Sequence, residues 1–274
     1  TLDWQEVATP TQLDDTKINL FAPLRIDPKE FAIGKISPLC GKAAMEYVRS
    51  ATLLCLDGTV DAMVTAPLNK EAVALNGIQF SGHTEFIAEL CNAKTSRMLL
   101  YSERMRVIHV STHWALRKAT EVDAERIRLT IQLGDETLKL MGFKQPRIAV
   151  CGINPHAGEH GLFGKEEITT VSPAIDLARA QGIHCEGPFA GDTIFLRALK
   201  GDFDLVVAMY HDQGHIPMKL VDFENTVNVS VGLPIIRTSV DHGTAFDIAG
   251  KNKASPNSMK AALKLAVTMA ANRN

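Results

Sequence analysis

Three histidines of this sequence follow short apolar runs directly, in a context that suits metal binding. The segments read Ser111-Thr-His113, Asn154-Pro-His156 and Tyr210-His211-Asp212-Gln213. Apolar runs bounded by turn formers predict strand ends, and ligands of open α/β sheets gather at the carboxyl ends of strands. Three imidazoles suit a divalent ion such as Zn²⁺ and leave positions open for a substrate. The sequence therefore predicts that His113, His156 and His211 bind one metal ion if the fold brings them together.

A second group of residues could hold an anion. The segment Ser81-Gly-His-Thr-Glu-Phe86 places a glycine before a predicted helix start, where backbone N–H groups, His83 and Thr84 could bind a phosphate. The alternative is an ordinary helix cap. Three further polar residues fall in a region that reads as turn-rich: Lys219, Asn228 and Arg237. Surface charge is the alternative for Lys219, but Arg237 lies inside an apolar stretch, where a guanidinium needs an anionic partner.

A third candidate is the loop Asp241-His-Gly-Thr-Ala-Phe-Asp-Ile-Ala-Gly250, which carries two acids between glycines. It matches neither the dinucleotide fingerprint GxGxxG nor a Walker A sequence. One interpretation is a plain turn before the last helix. The other is a nucleotide-binding loop in which a carboxylate bonds the ribose hydroxyls. By contrast, His109, His160 and His184 are expected to be surface residues or hydrogen-bonded core groups.

These residues must be positioned by alternating strands and helices. Strands are predicted over 61–67, 97–101, 105–111, 146–152 and 204–210, and helices over 121–141, 165–181 and 258–271. Strands separated by helices indicate an α/β fold with a mostly parallel sheet. Residues 1–16 are polar, are interrupted by proline and show no clear period.

Composition narrows the function classes. The 274 residues are 46% hydrophobic and 22% charged, which allows a large core and two lobes. A formal net charge of -2 offers no basic field for nucleic acid, and no apolar run is long enough to span a membrane. The opening residues, which begin with Thr1 and not with Met, do not resemble a signal peptide. Five scattered cysteines without a CxxC pair favour a cytoplasmic protein without a disulfide framework.

Taken together, five ordered segments resemble the 4-hydroxythreonine-4-phosphate dehydrogenase family. They are Gly82–Phe86, Ser111–His113, Cys151–Glu159, Met209–Gly214 and Ile236–Ala245. The resemblance implies a two-lobed α/β/α fold of the isocitrate and isopropylmalate dehydrogenase type. It also implies a homodimer with the active site at the dimer interface. The expected lobes are 1–80 with 225–274, which includes the coenzyme loop, and 81–224, which binds the metal and forms the dimer.

The resemblance also assigns roles to individual residues. It implies a metal site at His113, His156 and His211, with zinc expected and magnesium, manganese or cobalt as alternatives. It places the contacts to a small phosphorylated substrate at His83, Thr84, Lys219, Asn228 and Arg237. The loop is similar to the coenzyme loop of the isocitrate type, which implies NAD contacts at His242, Gly243, Thr244, Ala245 and Asp247. Asp247 would favour NAD over NADP, whereas Ser255 departs from the asparagine usual in those relatives.

Two further features qualify the resemblance. Family members open with a strand and a Gly-Pro turn that this sequence lacks, so by analogy a segment of roughly fifty residues is expected to be missing, which puts activity in doubt. Three segments look more like the branch acting on 4-phospho-D-threonate or 4-phospho-D-erythronate than like the vitamin B6 branch. These segments are Thr65–Glu71, Trp114–Lys118 and Gly214–Lys219.

The expected reaction is a metal-dependent, NAD-linked oxidation of a phosphorylated hydroxy acid to a β-keto acid, which then decarboxylates. Candidates for the proton acceptor are Lys219, Asp241 and Asp212. Three alternatives stay open at this point. They are a zinc hydrolase, a cis-dihydrodiol dehydrogenase of the same fold, and a ligand-binding homologue that has lost activity.

Overall fold

Short strands alternate with helices along the chain in the computed structural model, which describes residues 3–273. The strands are β1 (Trp4–Glu6), β2 (Ile18–Leu20), β3 (Ala62–Thr65), β4 (Arg97–Tyr101), β5 (Arg106–His109), β6 (Ile148–Cys151), β7 (Cys185–Phe189), β8 (Leu205–Ala208), β9 (Val227–Val231) and β10 (Ile236–Val240). The helices are α1 (Pro38–Leu56), α2 (Lys70–Ala74), α3 (His83–Leu90), α4 (Leu116–Ala119), α5 (Ala124–Leu140), α6 (Ser172–Ala180), α7 (Ile194–Leu199), α8 (His211–Asp222) and α9 (Asn257–Ala271).

Eight of the strands form one sheet in the order β3-β10-β9-β4-β5-β8-β6-β7, while β1 and β2 pair separately. Pairing is parallel between β3 and β10 and throughout the run β5-β8-β6-β7. It is antiparallel between β10 and β9, β9 and β4, and β4 and β5. Four of the seven pairings in this sheet of the described residues are parallel, as expected, but the three in the middle of the sheet are antiparallel. Two of these three, β4–β5 and β9–β10, join consecutive strands through short turns, which permit only antiparallel neighbours.

The sheet order also bears on the predicted lobes. The strands β3, β10 and β9 come from the predicted outer lobe and lie at one end of the sheet. The other five strands come from residues 81–224 and lie at the other end. Because one continuous sheet joins the two groups, the division into lobes stays a prediction.

Burial explains the elements that the sequence predicted well. Every residue of β6 and β8 is buried, as their continuous apolar runs require. Helix α5 begins after Asp123, whose side chain accepts a hydrogen bond from the Arg126 N–H at 2.7 Å, and it buries Ile127, Ile131 and Leu138 against the sheet. Apolar residues at this helical spacing form the stripe that an amphipathic helix turns to a core.

Other elements were not predicted. The long helix α1 was missed, and the polar residues expected in a turn-rich region lie in regular structure. Lys219 is in α8, Asn228 in β9 and Arg237 in β10. The signal for α8 is weak because the helix contains Gly214 and Pro217, both poor helix formers. The signal for β9 and β10 is weak because polar side chains of these buried strands face a cavity.

Helix α8 lies unusually close to β5. An added Cβ at Gly214 would be 2.3 Å from Nε2 of His109 and 2.8 Å from Cγ1 of Val107. Both neighbours are fully buried, so neither can move aside at low cost. Gly214 therefore sets the distance between α8 and the sheet.

Replacing Gly214 by alanine is expected to lower the free energy of unfolding by about 1–3 kcal/mol through overpacking. The better helix propensity of alanine offsets less than about 1 kcal/mol of that loss. Denaturant unfolding followed by circular dichroism measures the difference. Gly243→Ala is the matched control, because an added Cβ there meets no heavy atom within 4 Å. Equal stability of the two variants would contradict the close approach.

The structure also shows the state of the cysteines and the character of the helices. All five cysteines are free within the described part of the chain. No helix in residues 3–273 is both long and apolar enough to cross a membrane.

Candidate active site

The three histidines predicted to bind a metal follow three neighbouring strands. Strands β5, β8 and β6 are adjacent and parallel, so their carboxyl ends lie at one edge of the sheet. His113, His211 and His156 come a few residues after these ends. The expected placement at strand ends is therefore confirmed.

A cavity of about 360 Å³ opens beside this edge and gathers most of the predicted site. Its walls come from α3, α8, β9, β10 and the start of the loop after β10. The predicted residues that line it are His83, Thr84, His113, His211, Lys219, Asn228, Arg237, Asp241, His242 and Gly243. The predicted residues outside it are His156, Asp212, Thr244, Ala245 and Asp247.

His113 and His211 face each other in this cavity, with ring centroids 6.0 Å apart. Nδ1 of His211 is 2.7 Å from Oδ1 of Asp212. A carboxylate on one ring nitrogen orients the imidazole and leaves the other nitrogen, here Nε2, for a metal. Asp212 borders a different cavity, so its position suits orientation of His211 better than the proton transfer predicted for it.

His156 lies apart from this pair in a tight turn, Pro155–Gly161. It borders a second cavity of about 660 Å³, and its ring is 6.0 Å from that of Phe163. Within residues 3–273 of one chain, no group of three or more histidine, cysteine or acidic side chains could hold a metal ion. A single chain thus brings together two of the three predicted ligands but not the third.

The turn that carries His156 has an uncommon backbone. Five successive residues, His156 to His160, have φ between +42° and +80°, a conformation that costs non-glycine residues roughly 1–2 kcal/mol each. The buried carboxylate of Glu167 holds the base of the turn, because it accepts hydrogen bonds at 2.7 Å from the N–H groups of Ile153 and Asn154. His156 is therefore presented at the surface by a braced loop.

Arg237 is the clearest electrostatic feature of the first cavity. It is 3% exposed, and its guanidinium donates hydrogen bonds to Oγ1 of Thr65 at 2.6 Å and to Oγ of Ser230 at 2.9 Å. No acid lies within salt-bridge distance of it in the described part of the chain. Burial lowers the pKa of Arg237 to about 10, although Glu85 acts in the opposite direction. A buried cation with only hydroxyl partners is costly unless an anion meets it.

The start of α3 lies next to Arg237. The helix begins at His83 after Gly82, without a side-chain cap, so its first N–H groups can bind an anion. Oγ1 of Thr84 is 3.3 Å from Oγ of Ser230, the hydroxyl that also accepts from Arg237. Burial, with Arg237 and Lys70 nearby, lowers the pKa of His83 to about 4.

Asn228 adds a second unmatched group. Its buried Oδ1 has no hydrogen-bond partner within the described residues, and the side chain lines the cavity. Buried polar atoms of native proteins are rarely left unpaired. The orphan oxygen therefore favours a ligand that brings a hydrogen-bond donor.

Lys219 and Asp241 form the one acid–base pair that lines this cavity among the described residues, with Nζ and Oδ2 4.0 Å apart. Burial raises the pKa of Asp241, while Lys219, His211 and His242 act in the opposite direction. Both groups were predicted as candidate proton acceptors. Their proximity keeps both as candidates.

The predicted coenzyme loop leaves the cavity at His242 and Gly243. It continues through Ala245, which has a left-handed φ of +47°, into a short 3-10 turn, Phe246–Ile248. Asp247 is exposed on this turn. Lys251 donates a hydrogen bond to the backbone oxygen of Asp247 and forms no salt bridge with its carboxylate among the described residues. The carboxylate is thus available to a ribose.

The sequence interpretation missed His215, and it treated His109 as a surface or core residue. His109 is fully buried, and its Nε2 is 3.1 Å from Nδ1 of His215. Burial lowers the pKa of His109 to about 3 and that of His215 to about 4. The signal that could have found His215 is its spacing, because residues four apart share one face of a helix, and His215 lies midway between His211 and Lys219.

Comparisons with known proteins identify the family to which the chain belongs. The family described as pyridoxal phosphate biosynthetic protein PdxA matches residues 1–266. The D-threonate 4-phosphate dehydrogenase of Pectobacterium atrosepticum is 49% identical over 254 residues, which cover 92% of this chain and 78% of that protein. A crystal structure of the 4-hydroxythreonine-4-phosphate dehydrogenase of Klebsiella pneumoniae is 43% identical, with a TM-score of 0.87, and covers 98% of this chain and 83% of that one.

A more distant structure bears on one of the alternatives. The terephthalate 1,2-cis-dihydrodiol dehydrogenase of Burkholderia xenovorans is 30% identical, with a TM-score of 0.72 over 97% of this chain and 83% of that one. The fold reaches further still, to the isocitrate dehydrogenase of Methylococcus capsulatus at 13% identity and a TM-score of 0.50. This likeness confirms the predicted fold class and carries nothing about activity.

These matches span nearly the whole chain, and the first three proteins compared are all named as dehydrogenases, in agreement with the predicted enzyme class. The motifs quoted from the sequence lie within the matched residues. The chain therefore belongs to the PdxA family, as its resemblance to 4-hydroxythreonine-4-phosphate dehydrogenases predicted.

Proposed function

We propose that this protein oxidises a hydroxyl group of a small phosphorylated hydroxy acid, with NAD and a divalent metal ion. The observation that carries the proposal is Arg237, a buried guanidinium without an acidic partner in the described chain, in the cavity that also holds His113 and His211. The dehydrogenase names of the relatives support the reaction class.

The phosphate end of the substrate would lie between Arg237 and the start of α3. Arg237 offers a planar fork for phosphate oxygens, and the first N–H groups of α3 with the Thr84 hydroxyl complete an anion site. Lys219 adds a point charge from α8. Asn228 would accept a hydrogen bond from a hydroxyl of the same substrate.

A divalent metal ion fits the donor set of the cavity in part. His113 and His211 would hold it, because Asp212 occupies Nδ1 of His211 and leaves Nε2 free. When bound, such an ion lowers the pKa of a substrate hydroxyl and stabilises the charge that develops on oxygen. Imidazole ligands favour zinc, and magnesium, manganese and cobalt stay alternatives.

The residues of the chain itself would handle the proton. Oxidation removes a hydride and a proton from the carbinol, and we place the proton transfer at the pair Lys219 and Asp241, which lines the same cavity as His211. Burial raises the pKa of Asp241. Its carboxylate therefore binds a proton more tightly, which suits a group that accepts one. The resulting ketone is β to the carboxylate, so the product can lose CO₂.

NAD would lie along the loop that begins at His242. The exposed turn at Phe246–Ile248 fits an adenosine ribose, because the Asp247 carboxylate faces solvent and can accept hydrogen bonds from ribose hydroxyls. A carboxylate at this position repels a 2′-phosphate. Thr244 and Ala245 would then contact the coenzyme through the backbone.

Asp247→Ser is expected to narrow the preference for NAD over NADP. The change removes the charge that repels the 2′-phosphate while it keeps a small polar side chain. The measurement is the ratio of kcat/KM for the two coenzymes at saturating substrate. Asp176→Ser is the control for the loss of one exposed acid away from the cavity, and it should leave the ratio as in the wild type. An unchanged ratio in Asp247→Ser would remove Asp247 from this role.

The third imidazole would come from a second copy of the chain. His156 is exposed, and four apolar side chains near it are exposed at 49% to 82%: Phe163, Leu196, Ile216 and Leu220. Exposed apolar groups of this kind mark interfaces, and a two-fold dimer would place the His156 turn of each copy against its partner. The homodimer with shared active sites accounts for both the isolated histidine and its apolar surroundings.

Different observations separate the proposal from its three alternatives. The cis-dihydrodiol of terephthalate, the compound named for one relative of this fold, has carboxylates but no phosphate, so a requirement for the substrate phosphate would exclude a dihydrodiol dehydrogenase. A zinc hydrolase needs no nucleotide, so it would leave the proposed coenzyme loop around Asp247 without a role. An inactive ligand-binding homologue would keep the phosphate site and bind without turnover.

A substrate panel tests the proposal. NADH formation would be measured with 4-phospho-D-threonate, 4-phospho-D-erythronate, 4-phosphohydroxy-L-threonine and their dephosphorylated counterparts, with and without a chelator. We expect turnover of at least one phosphorylated compound, loss of that turnover with chelator and poor turnover without the phosphate. Turnover of a dihydrodiol alone, or phosphate-independent turnover, would contradict the proposal.

A further inference from the structure

Helix α8 presents three polar side chains to the cavity, each one helical turn from the next: His211, His215 and Lys219. The proposed function uses the first and the third. His215 is 7% exposed, and its ring stacks on that of His211 with centroids 3.6 Å apart. The state of its two nitrogens follows from the hydrogen bonds around it.

The chain of hydrogen bonds begins at His109 in β5. Nδ1 of His109 is 3.3 Å from the backbone oxygen of Met98. A carbonyl oxygen can only accept, so this nitrogen carries the hydrogen. A neutral imidazole has one hydrogen on nitrogen, and Nε2 of His109 is therefore an acceptor.

Nδ1 of His215 lies between two acceptors. It is 3.1 Å from Nε2 of His109 and 3.1 Å from the backbone oxygen of His211. It must therefore carry the hydrogen of this ring, which leaves a lone pair on Nε2. Nε2 of His215 takes part in none of the hydrogen bonds formed within residues 3–273, where both contacts of the ring use Nδ1.

Packing fixes this arrangement in place. The absence of a side chain at Gly214 lets α8 approach β5 closely enough for the two imidazoles to meet, since an added Cβ would be 2.3 Å from Nε2 of His109. His109 is fully buried and cannot turn to another partner. The acceptor on His215 is thus set by the fold before any ligand arrives.

We infer that Nε2 of His215 accepts a hydrogen bond from a hydroxyl group of the substrate and so selects a hydroxylated carbon chain. This inference rests on the proposed function. The phosphate end of the cavity is lined by donors, Arg237, Lys219 and the start of α3, whereas a substrate hydroxyl needs an acceptor. An acceptor that a bound substrate covers but leaves unpaired, because the substrate lacks that hydroxyl, weakens the binding of that substrate.

Two substitutions separate this role from a structural one. His215→Asn places an amide near Nδ1 and keeps a donor towards His109, but it removes the acceptor at Nε2. His215→Gln extends an amide oxygen towards the place of Nε2. Both are tested as the metal-loaded protein without NAD, by calorimetric titration with 4-phospho-D-threonate and with its 2-deoxy and 3-deoxy analogues.

We expect His215→Asn to weaken binding of the parent compound about 10- to 100-fold and His215→Gln to restore part of it. One of the two deoxy analogues should bind His215→Asn and the wild type equally, because it lacks the hydroxyl in question. Equal weakening of all three compounds, or no weakening of any, would overturn the inference. If the wild type neither binds nor oxidises the phosphorylated acids, the proposed function fails first.

Nitrogen NMR of histidine-labelled protein gives a second readout that stability does not affect. The expected spectrum has a hydrogen on Nδ1 of His215 and none on Nε2, with the Nε2 resonance shifted when 4-phospho-D-threonate binds. His109→Leu should loosen the preference for this tautomer. A hydrogen on Nε2 in the wild type would contradict the inference.

Discussion

Replacing Arg237 by methionine is expected to lower kcat/KM for the phosphorylated substrate by about 30- to 1,000-fold, a cost on the order of 2–4 kcal/mol. Methionine keeps much of the volume of the side chain and removes the charge. The loss should fall mainly on KM, because the guanidinium meets the phosphate in both the ground state and the transition state. The turnover of the dephosphorylated analogue, already poor, should hardly change.

Arg97→Met is the matched control for that result. Arg97 is also a buried arginine of the same sheet, 5% exposed, but it bonds Oγ1 of Thr130 and does not line the cavity. Its loss can cost stability, yet the ratio of the two substrates' kcat/KM should stay as in the wild type. Should Arg237→Met impair both substrates equally, Arg237 holds another group or supports the fold, and the phosphate assignment is wrong.

The second large effect concerns the three histidines proposed to bind the metal ion. His113→Ala and His156→Ala, each purified alone, are expected to lose more than about 1,000-fold in kcat, since a catalytic ion is lost with its ligands. When the two variants are mixed and allowed to exchange subunits, activity should return to about a quarter of the wild-type level. In each mixed dimer one of the two sites is complete, with His113 and His211 from the His156→Ala copy and His156 from the His113→Ala copy. About half of the dimers are mixed after random exchange, so about a quarter of all sites are complete.

The recovery depends on which copy supplies His156. A mixture of His113→Ala and His211→Ala serves as the control, because both changes fall in the same cavity of one chain. That mixture also yields mixed dimers, but neither of their sites is complete and no activity should return. Full activity of either single variant, or no recovery in the first mixture after verified exchange, would contradict the shared site.

The sequence predicts a helix or strand well where its local pattern and its burial agree, and poorly where a cavity or a close contact also determines the residue types. Strand β8 and helix α5 were predicted because local pattern and burial agree there. Strand β10 was not predicted, because its one charged residue, Arg237, lines a cavity and interrupts the apolar pattern expected of a buried strand. Helix α8 was not predicted for a similar reason. Gly214 lets the helix pack close to β5, but glycine is a poor helix former and weakens the helical pattern in the sequence.

The candidate site shows the same division. Strand-terminal histidines could be recognised in the sequence, and the structure places all three at one edge of the sheet. That His156 lies apart from the others could not be read from spacing, because it depends on a left-handed turn braced by Glu167. His215 was missed because its role depends on a hydrogen bond with His109, which in turn bonds the backbone of Met98, and both residues are far away in sequence.

In the proposed dimer, the separation of His156 from His113 and His211 would make the affinity for the metal ion depend on the protein concentration. In the proposed dimer each subunit completes its partner's site, so an ion that favours the complete site must also tighten the association, by the same factor. Dilution would then release metal, and chelation would speed the exchange of subunits. A newly synthesised chain would compete only weakly for the cell's scarce metals until it met a second copy, and loading would coincide with assembly.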